Sequence, residues 1–327
     1  NQAKAQIDTT FWFAAPWVTP SHADNVPIKF HFSTFDNATT ITIRQPQGGI
    51  NQTFTVAANT LFSYDVSTDV NTVECKPADL VLPYGFQITS DFPIVVVYDV
   101  ITAGSNPETY SLKGQNGLGY EFVTPFQVGG HNHVFPWSSA IQPKQAFSIV
   151  ASEDNTTIHI TPRCDVEGGH LANVTYTITL PFAGSTYTCE NLVQNTQVPG
   201  NTLAGSIVVS DKKIAITVND DSVRPGTGGT CLDLMGDQIV PTDVIGTEYI
   251  VNIGKLDNSV KESVFIVATE NFTTISVQDN GGITQKILNQ GDTWRARIDE
   301  QLTYVQSDKN IYVLHMSGYG CELGEAI

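Results

Sequence analysis

The sequence predicts an all-β protein, and three observations support this prediction. The chain of 327 residues is 41 % apolar but only 15 % charged, and it is rich in Thr, Asn and Val. This composition favours strands and turns over helices. No long window of the sequence has apolar residues at the 3.6-residue spacing of an amphipathic helix. One hairpin pattern recurs along the chain, as is typical of proteins built from repeated units.

The recurring hairpin is clearest in "SIVASEDNTTIHI" and "SIVVSDKKIAITV". It occurs six times, at residues 32–43, 88–97, 148–160, 206–218, 266–277 and 305–314. Alternate copies end their turn with Thr-Thr-Ile, and the first threonines of these pairs, Thr39, Thr156 and Thr273, are each 117 residues apart. The other copies contain Ser-Asp-x-x-Ile. Acids such as Asp91 and Asp211 recur in these turns, which indicates turn chemistry rather than a functional site.

A second element, Gly-x-x-aromatic or a close variant, follows five of the six hairpins. Its aromatic residues are Phe62, Phe122, Tyr187, Tyr249 and Trp294. With one strand-like run between hairpin and aromatic, each unit predicts four short antiparallel strands. The sixth aromatic is missing after the last hairpin, and Phe11 at the N-terminus supplies it. An N-terminal strand that completes the last unit closes a ring, so the sequence predicts a six-bladed β-propeller.

The predicted propeller is one domain, residues 1–327, with a threefold internal repeat. The repeats cover approximately residues 26–125, 146–252 and 263–327, with an N-terminal strand at 8–14. The alternative is three tandem β-sandwich modules of about 115 residues each. We favour the propeller because no Pro/Ser/Gly linker marks the 117-residue boundaries and because a displaced strand at Phe11 has no evident role in separate modules.

Charge and cysteine content narrow the class of protein. The net charge of −17 disfavours binding to nucleic acid or to anionic membrane. No apolar run is long enough to span a bilayer. The five cysteines have long, irregular spacings without CxxC, which disfavours a zinc site. Cys164 and Cys189 end two strands of one unit on the same side, so we predict a disulfide between them.

The long loops on one side of the predicted ring are the expected binding site, because binding residues concentrate on loops. Two loops, at 15–25 and 128–139, contain Pro-Trp and histidine, a third lies at 67–83, and two more lie at 103–117 and 219–237. The candidate ligand-binding residues are Trp17, His22, His131, His133, Trp137, Asp220, Asp221, Arg224 and Tyr319.

Each candidate also has a structural interpretation. The tryptophans suit glycan stacking or protein contact, but could instead pack beneath their own loops. The H-x-H pair of His131 and His133 would face one way on a strand, yet no third metal ligand is evident. Asp220 and Asp221 beside Arg224 could bind a cation or a sugar, or form internal ion pairs. Calcium is compatible with an acidic secreted protein, but no D-x-D-x-D-G loop is present. We therefore predict no cofactor.

An ordered set of motifs runs along most of the chain and includes "GYEF", "IVASEDNTTIHI", "TITLPFAGSTY", "CLDLMGDQIVPTDVIGTEYIV" and "SDKNIYVLHMSGYGCELGEAI". This ordered set resembles the N-terminal domain family of IgG Fc-binding protein and its secreted and cell-surface bacterial relatives. The resemblance implies an extracellular, non-enzymatic binding or adhesion module within a longer multidomain protein. Its partner would be a glycan or a host or surface protein. The resemblance supplies no catalytic residue, and antibody binding is not transferred to this chain.

Two other functions remain open from the sequence. One is a propeller enzyme acting on polysaccharides, a glycosidase or lyase with carboxylates and histidine at the channel mouth. The sequence has no G-x-S-x-G, no H-E-x-x-H and no identifiable carboxylate pair. The other is a structural spacer in a large surface protein.

Overall fold

The computed structural model is built almost entirely of β-strands, as predicted. It describes residues 6–18, 25–101, 107–129, 131–132, 143–192, 201–224, 233–254, 262–279, 281–298, 301–317 and 325–326. Within these residues the only α-helix is α1 (Val70–Val73). Short 3₁₀ turns lie at Ser67–Asp69, Gly114–Gly117 and Glu167–Gly169.

The strands form three successive modules. Module 1 contains β1 (Ile7–Phe13), β2 (Ile28–Thr34), β3 (Thr39–Arg44), β4 (Asn51–Val56), β5 (Leu61–Asp65), β6 (Val81–Leu82), β7 (Phe86–Val100) and β8 (Glu108–Ser111). Module 2 contains β9 (Gly119–Val123), β10 (His131–Asn132), β11 (Gln145–Ala151), β12 (Thr156–Thr161), β13 (Tyr176–Leu180), β14 (Thr186–Glu190), β15 (Ile207–Arg224) and β16 (Asp233–Ile239). Module 3 contains β17 (Glu248–Asn252), β18 (Ser263–Ala268), β19 (Thr273–Asp279), β20 (Gly282–Leu288), β21 (Thr293–Arg297), β22 (Leu302–Ser307), β23 (Ile311–Ser317) and β24 (Glu325–Ala326).

Each module has two antiparallel four-stranded sheets with the same strand order. We call them sheet I and sheet II. In module 3, sheet I is β17-β22-β19-β20 and sheet II is β21-β18-β23-β24. In modules 1 and 2 the long strands β7 and β15 take part in both sheets. In module 1, sheet I is β1-β7-β3-β4 and sheet II is β5-β2-β7-β8. In module 2, sheet I is β9-β15-β12-β13 and sheet II is β14-β11-β15-β16.

This pairing contradicts the predicted six-bladed propeller and matches the alternative of three tandem β-sandwich modules. In a propeller blade, the two strands of a hairpin pair with each other. Here β2 pairs with β5 and β7, whereas β3 pairs with β4 and β7, so the hairpin strands lie in different sheets. Phe11 pairs with Ile88 in module 1, not with the segment around Ile311. The N-terminal strand therefore completes module 1 and closes no ring.

The module boundaries also differ from the predicted repeats. The predicted repeats assigned the aromatic residues Phe122 and Tyr249 to the ends of their units. In the structure they lie in β9 and β17, which are the first strands of modules 2 and 3. β1, which contains Phe11, is therefore the first strand of module 1 rather than a displaced one.

The two sheets of each module enclose a shared core. In module 1 the ring of Phe13, on sheet I, lies 6.1 Å from Phe30 and 5.1 Å from Tyr98, both on sheet II. All three side chains are fully buried. Modules 2 and 3 have separate clusters drawn from both of their sheets. Burying one such side chain contributes about 1.5–3 kcal/mol, so each core stabilises its own sheet pair.

The Ser-Asp motif lies where the chain passes from sheet I to sheet II. In each module the aspartate accepts a hydrogen bond from the main-chain N–H of the second threonine in the Thr-Thr pair: Asp91 from Thr40 at 3.3 Å, Asp211 from Thr157 at 2.8 Å and Asp308 from Thr274 at 2.8 Å. Strands β3, β12 and β19 begin at Thr39, Thr156 and Thr273. The three aspartates thus make the same turn hydrogen bond, which supports their role in turn chemistry.

Neighbouring modules pack directly against each other. Sheet II of module 2 packs on module 1, where Trp12 and Cys75 share a buried cluster with Val150 and Ala215. Strand β6 of module 1 also pairs with β14 of module 2. Sheet II of module 3 packs on module 2, where Phe265 and other residues form a second buried cluster. Buried side chains join the modules at the boundaries where the sequence shows no linker.

Removing the aspartate that accepts the threonine N–H should destabilise the fold. We expect Asp308→Ala to lower the free energy of unfolding by about 1 kcal/mol, because the N–H of Thr274 loses its side-chain acceptor. Asp308→Asn retains an oxygen acceptor and should cost less than half as much. Urea denaturation of the full chain measures both. Equal losses in the two variants would contradict the assigned hydrogen bond.

Candidate functional site

The connections between strands divide between two ends of each module. At the turn end, the short turns meet: the N–H of Asn59 donates to the carbonyl of Phe35 at 2.8 Å, and that of Asn155 to Pro181 at 3.0 Å. The opposite loop end receives the longer connections, among them residues 14–27, 66–85, 124–144 and 162–175. In modules 1 and 2 the short turns and the longer connections therefore lie at opposite ends, whereas in module 3 β19 ends at Asp279 and β20 begins at Gly282, so this loop-end connection is short.

The loop ends of modules 1 and 2 lie side by side. The side-chain amide of Asn219 donates to the carbonyl of Trp17 at 3.2 Å. Asp79 of module 1 accepts hydrogen bonds from the hydroxyl of Tyr187 at 2.7 Å and lies 3.0 Å from Nε2 of His170, both in module 2. These contacts bring together the two loop regions that the sequence predicted as a binding site.

Asp220 is the centre of a buried polar network at this joint. Its carboxylate accepts hydrogen bonds from the amides of Asn132 at 2.7 Å, Gln145 at 2.8 Å and Gln127 at 3.0 Å. Burial raises the pKa of Asp220 to about 6, although the three amide donors lower it. One carboxylate thus connects β15 to three other segments at the bases of the loops.

A lysine-centred group lies beside this network. Nζ of Lys144 is 2.9 Å from Glu190 and also contacts Glu167. Burial lowers the pKa of Lys144, but the two carboxylates raise it by more. Burial raises the pKa of Glu190 more than Lys144 lowers it. Asp221, also buried, donates its main-chain N–H to the carbonyl of Lys144. The acidic residues around Lys144 therefore interact with partners within the protein.

The structure describes five of the nine predicted site residues. Trp17 is half-buried and contacts module 2 through its carbonyl. Asp220 and Asp221 are 3 % and 4 % exposed, so any part they play in ligand binding would be indirect. His131 pairs with Arg224 between β10 and β15. The remaining predictions lie outside the described residues and stay predictions: His22, His133, Trp137 and Tyr319.

Sequence reasoning missed the residues that support the loops. Gln145 and Glu262 lie 117 residues apart, at or beside the starts of β11 and β18, and both are fully buried. Glu262 lies 2.6 Å from Nε2 of His315 and accepts the N–H of Gly254. In module 1 the buried Glu74 accepts from the N–H of Val18 and contacts Lys76. The signal in the sequence that could have identified these residues was a polar residue recurring at the start of an apolar strand.

The predicted disulfide between Cys164 and Cys189 is not present. Both residues are free thiols in the core of module 2, and Cys75 is a free buried thiol as well. Burial raises the pKa of Cys164 and of Cys75 to about 12, and it raises the pKa of Cys189 further. The ends of strands β12 and β14 do bring the two cysteines into one buried cluster, as the sequence suggested.

No group of three or more His, Cys, Asp or Glu side chains within the described ranges is arranged to hold a metal ion. That the protein has no cofactor stays a prediction. The same part of the chain contains no helix long and apolar enough to cross a bilayer.

The chain belongs to a family described as IgGFc binding protein. The match covers residues 108–325, which is more than half of the chain. This confirms the family resemblance deduced from the motifs. The family is one of binding proteins and not of enzymes. Comparison with curated proteins found no match.

Among solved structures, two bacterial adhesins are similar over nearly all of the chain. One is a Ca²⁺-stabilised adhesin that helps an Antarctic bacterium bind ice; the match has 14 % identity and covers 99 % of this chain and 73 % of that one. The other is a 1.5-MDa bacterial ice-binding adhesin, with 12 % identity over 100 % and 97 % of the two chains. At a TM-score of 0.15 in each case, neither likeness supports a structural argument.

Substitution of Asp220 should change both stability and its pH dependence. Asp220→Ala leaves three buried amide donors without their acceptor, so we expect a loss of about 2–4 kcal/mol. Because the folded-state pKa of Asp220 lies above its ordinary value, the folded protein binds this proton more tightly. The contribution of Asp220 protonation to the free energy of unfolding therefore increases as the pH falls through about 6 towards 4, and it is lost as the pH rises.

Urea denaturation at pH 7 and pH 5 measures this effect. Asp220 should make the protein about 1 kcal/mol more stable at pH 5 than at pH 7, since one pKa unit corresponds to about 1.4 kcal/mol. Asp220→Asn has no ionisable group there and should lack this part of the pH dependence. An identical pH dependence in the wild type and in Asp220→Asn would contradict the raised pKa.

The buried thiols should be unreactive in the folded protein. With a pKa of about 12, Cys75 and Cys164 carry almost no thiolate at pH 8, and burial also blocks access. Iodoacetamide should therefore label Cys75, Cys164 and Cys189 only after denaturation, as peptide mass spectrometry would show. Recovery of a peptide linked through Cys164 and Cys189 without reduction would instead show that the disulfide forms.

Proposed function

We propose that the chain is an extracellular binding or adhesion module. It recognises a glycan or a host or surface protein through the adjacent loop ends of modules 1 and 2. The observation that supports this most directly is the contact between Trp17 and Asn219, which joins the loop regions of two modules. Loops held on a rigid β-framework are the usual location of binding residues.

The framework beneath the loops favours binding over catalysis. Asp220 is bound by amides, and Lys144 is paired with Glu190. A glycosidase needs two carboxyl groups facing the substrate. The buried acids of this joint are instead hydrogen-bonded within the protein, which supports a site that holds its shape and contacts a partner through the loops above.

Family membership supports a protein partner and an extracellular location. The family takes its description from a protein that binds the Fc region of immunoglobulin G, and we treat Fc as one probe among several. The net charge of −17 favours partners with basic surfaces over nucleic acid or anionic lipid.

The test is binding of the full chain to a glycan array and to immobilised Fc fragments. Trp17→Ala should weaken a positive interaction at least about tenfold, because large aromatic side chains dominate such contacts. Trp137→Ala tests the second Pro-Trp loop in the same way. The matched control is Phe35→Ala, which removes a 43 % exposed aromatic from the turn end of module 1 and should leave binding unchanged.

Far-UV circular dichroism and thermal unfolding establish that each variant is folded. Binding that survives both tryptophan changes, or that falls equally in Phe35→Ala, would exclude the loop ends of modules 1 and 2 as the binding site. Absence of any binding, combined with turnover of a polysaccharide, would favour the enzymatic alternative.

A further inference from the structure

One connection at the loop end of module 2 is much longer than its counterparts. It joins β12 to β13 and covers residues 162–175, whereas the equivalent connections cover residues 45–50 in module 1 and 280–281 in module 3. We call it the long loop of module 2. Because modules 1 and 3 form the same two sheets with shorter connections, the fold itself does not require this loop.

The long loop is fixed by its own hydrogen bonds. The N–H of Val166 donates to the carbonyl of His170 at 3.0 Å, and the N–H of Ala172 donates to the carboxylate of Asp165 at 2.9 Å. The side chain of Val166 also belongs to the buried core of module 2. These contacts hold the loop in one shape, which lowers the entropy cost of binding a partner.

The long loop also contacts module 1 through Asp79. Nε2 of His170 lies 3.0 Å from the carboxylate of Asp79, which also accepts the hydroxyl of Tyr187. Gly168 leaves no room for a Cβ beside the same carboxylate, so the two modules approach closely here. The loop is therefore part of the joint between modules 1 and 2.

Exposed aliphatic side chains lie around this contact. We call them the joint patch, and each is between 44 % and 60 % exposed: Leu80, Val81, Leu171, Val174 and Leu192. Leu80 and Val81 directly follow Asp79, and Leu171 directly follows His170. The N–H of Val174 donates to the carbonyl of Leu171 at 3.2 Å, and the N–H of Leu192 donates to that of Asp165 at 2.9 Å. Single exposed apolar residues are ordinary, but a group of them drawn from two modules marks an interaction surface.

The charges beside the joint patch are mainly negative. Asp165 is exposed, and Glu167 is partly exposed. Lys144 lies between Glu167 and Glu190, so its charge is balanced within the protein. Acidic side chains beside an apolar patch favour a partner whose apolar residues are flanked by Lys or Arg, because complementary charges speed association and exclude wrong partners.

The side chains of this region favour a protein segment over a glycan. The ring of Tyr176 is stacked on His170, with centroids 3.7 Å apart and an interplanar angle of 6°. That face of the ring is therefore not open to a sugar. The members of the joint patch are aliphatic, and they gain most by burial against the apolar side chains of a protein.

We propose that the joint patch binds a segment of a protein partner whose apolar side chains are flanked by Lys or Arg. This inference rests on the proposed function and names the class of partner that the loop ends of modules 1 and 2 recognise. The segment lies across the joint and buries Leu80 of module 1 together with Leu171 of module 2. Its basic residues lie near Asp165 and Glu167.

Selection of random phage-displayed peptides on the immobilised full chain tests the proposal. We expect the enriched peptides to combine apolar residues with Lys or Arg. Leu80→Ser/Leu171→Ser should raise the dissociation constant of these peptides, measured by titration calorimetry, at least about tenfold, because it removes an apolar contact from each module. Asp165→Asn keeps an oxygen acceptor for the N–H of Ala172 and removes only the charge, so it should raise the constant about two- to fivefold.

The matched control is Phe272→Ser, which removes a 73 % exposed aromatic from the turn end of module 3 and should leave the affinity unchanged. Far-UV circular dichroism establishes that each variant is folded. The proposal is overturned if no peptide is enriched, if the enriched peptides are acidic, or if their affinity is the same for Leu80→Ser/Leu171→Ser.

Trp17→Ala separates this inference from the proposed function. Peptide binding that is lost in Trp17→Ala but retained in Leu80→Ser/Leu171→Ser would overturn the joint patch while keeping the loop ends as the binding site. Binding that is lost in Leu80→Ser/Leu171→Ser supports the joint patch, whatever the effect of Trp17→Ala.

Discussion

The architecture depends on the passage of one chain segment from sheet I to sheet II in every module. At the Ser-Asp motif the strand leaves one sheet and enters the other, and the aspartate accepts the N–H that begins the neighbouring strand, as Asp211 does with Thr157. The crossing segment pairs with one strand of the Thr-Thr-Ile hairpin in sheet I and with the other strand in sheet II. The two strands of that hairpin therefore lie in different sheets, and a core forms between the sheets. A hairpin whose strands paired with each other would have produced a single sheet.

Packing between modules follows from the same crossing. Because sheet II of one module faces sheet I of the one before it, β11 and β18 are buried on both faces, whereas β2 of module 1 is alternately buried and partly exposed. Modules 2 and 3 therefore need apolar residues on both sides of their sheet II. Module 1 instead places charged pairs on the outer side of its sheet II, Lys29 with Asp65 and His31 with Asp99.

The candidate site arises from this stacking rather than from one module. Buried carboxylates fix the bases of the loops: Glu74 in module 1, Asp220 in module 2 and Glu262 in module 3. Each satisfies donors that would otherwise be unpaired away from water, and the low dielectric makes such networks costly to break. The loop end can thus be rigid at its base while its sequence varies, which is what a recognition surface on a repeated scaffold requires.

The sequence alone determined the strand class, the 117-residue repeat, the turn chemistry of the aspartates and the family, because these depend on local pattern. It could not decide between propeller and sandwich, since alternating apolar residues bury one face in either arrangement. Only the tertiary structure showed that Phe11 pairs with Ile88, and that Asp220 is enclosed by amides from three segments. Both facts rest on contacts between residues far apart in the chain, which no local periodicity encodes.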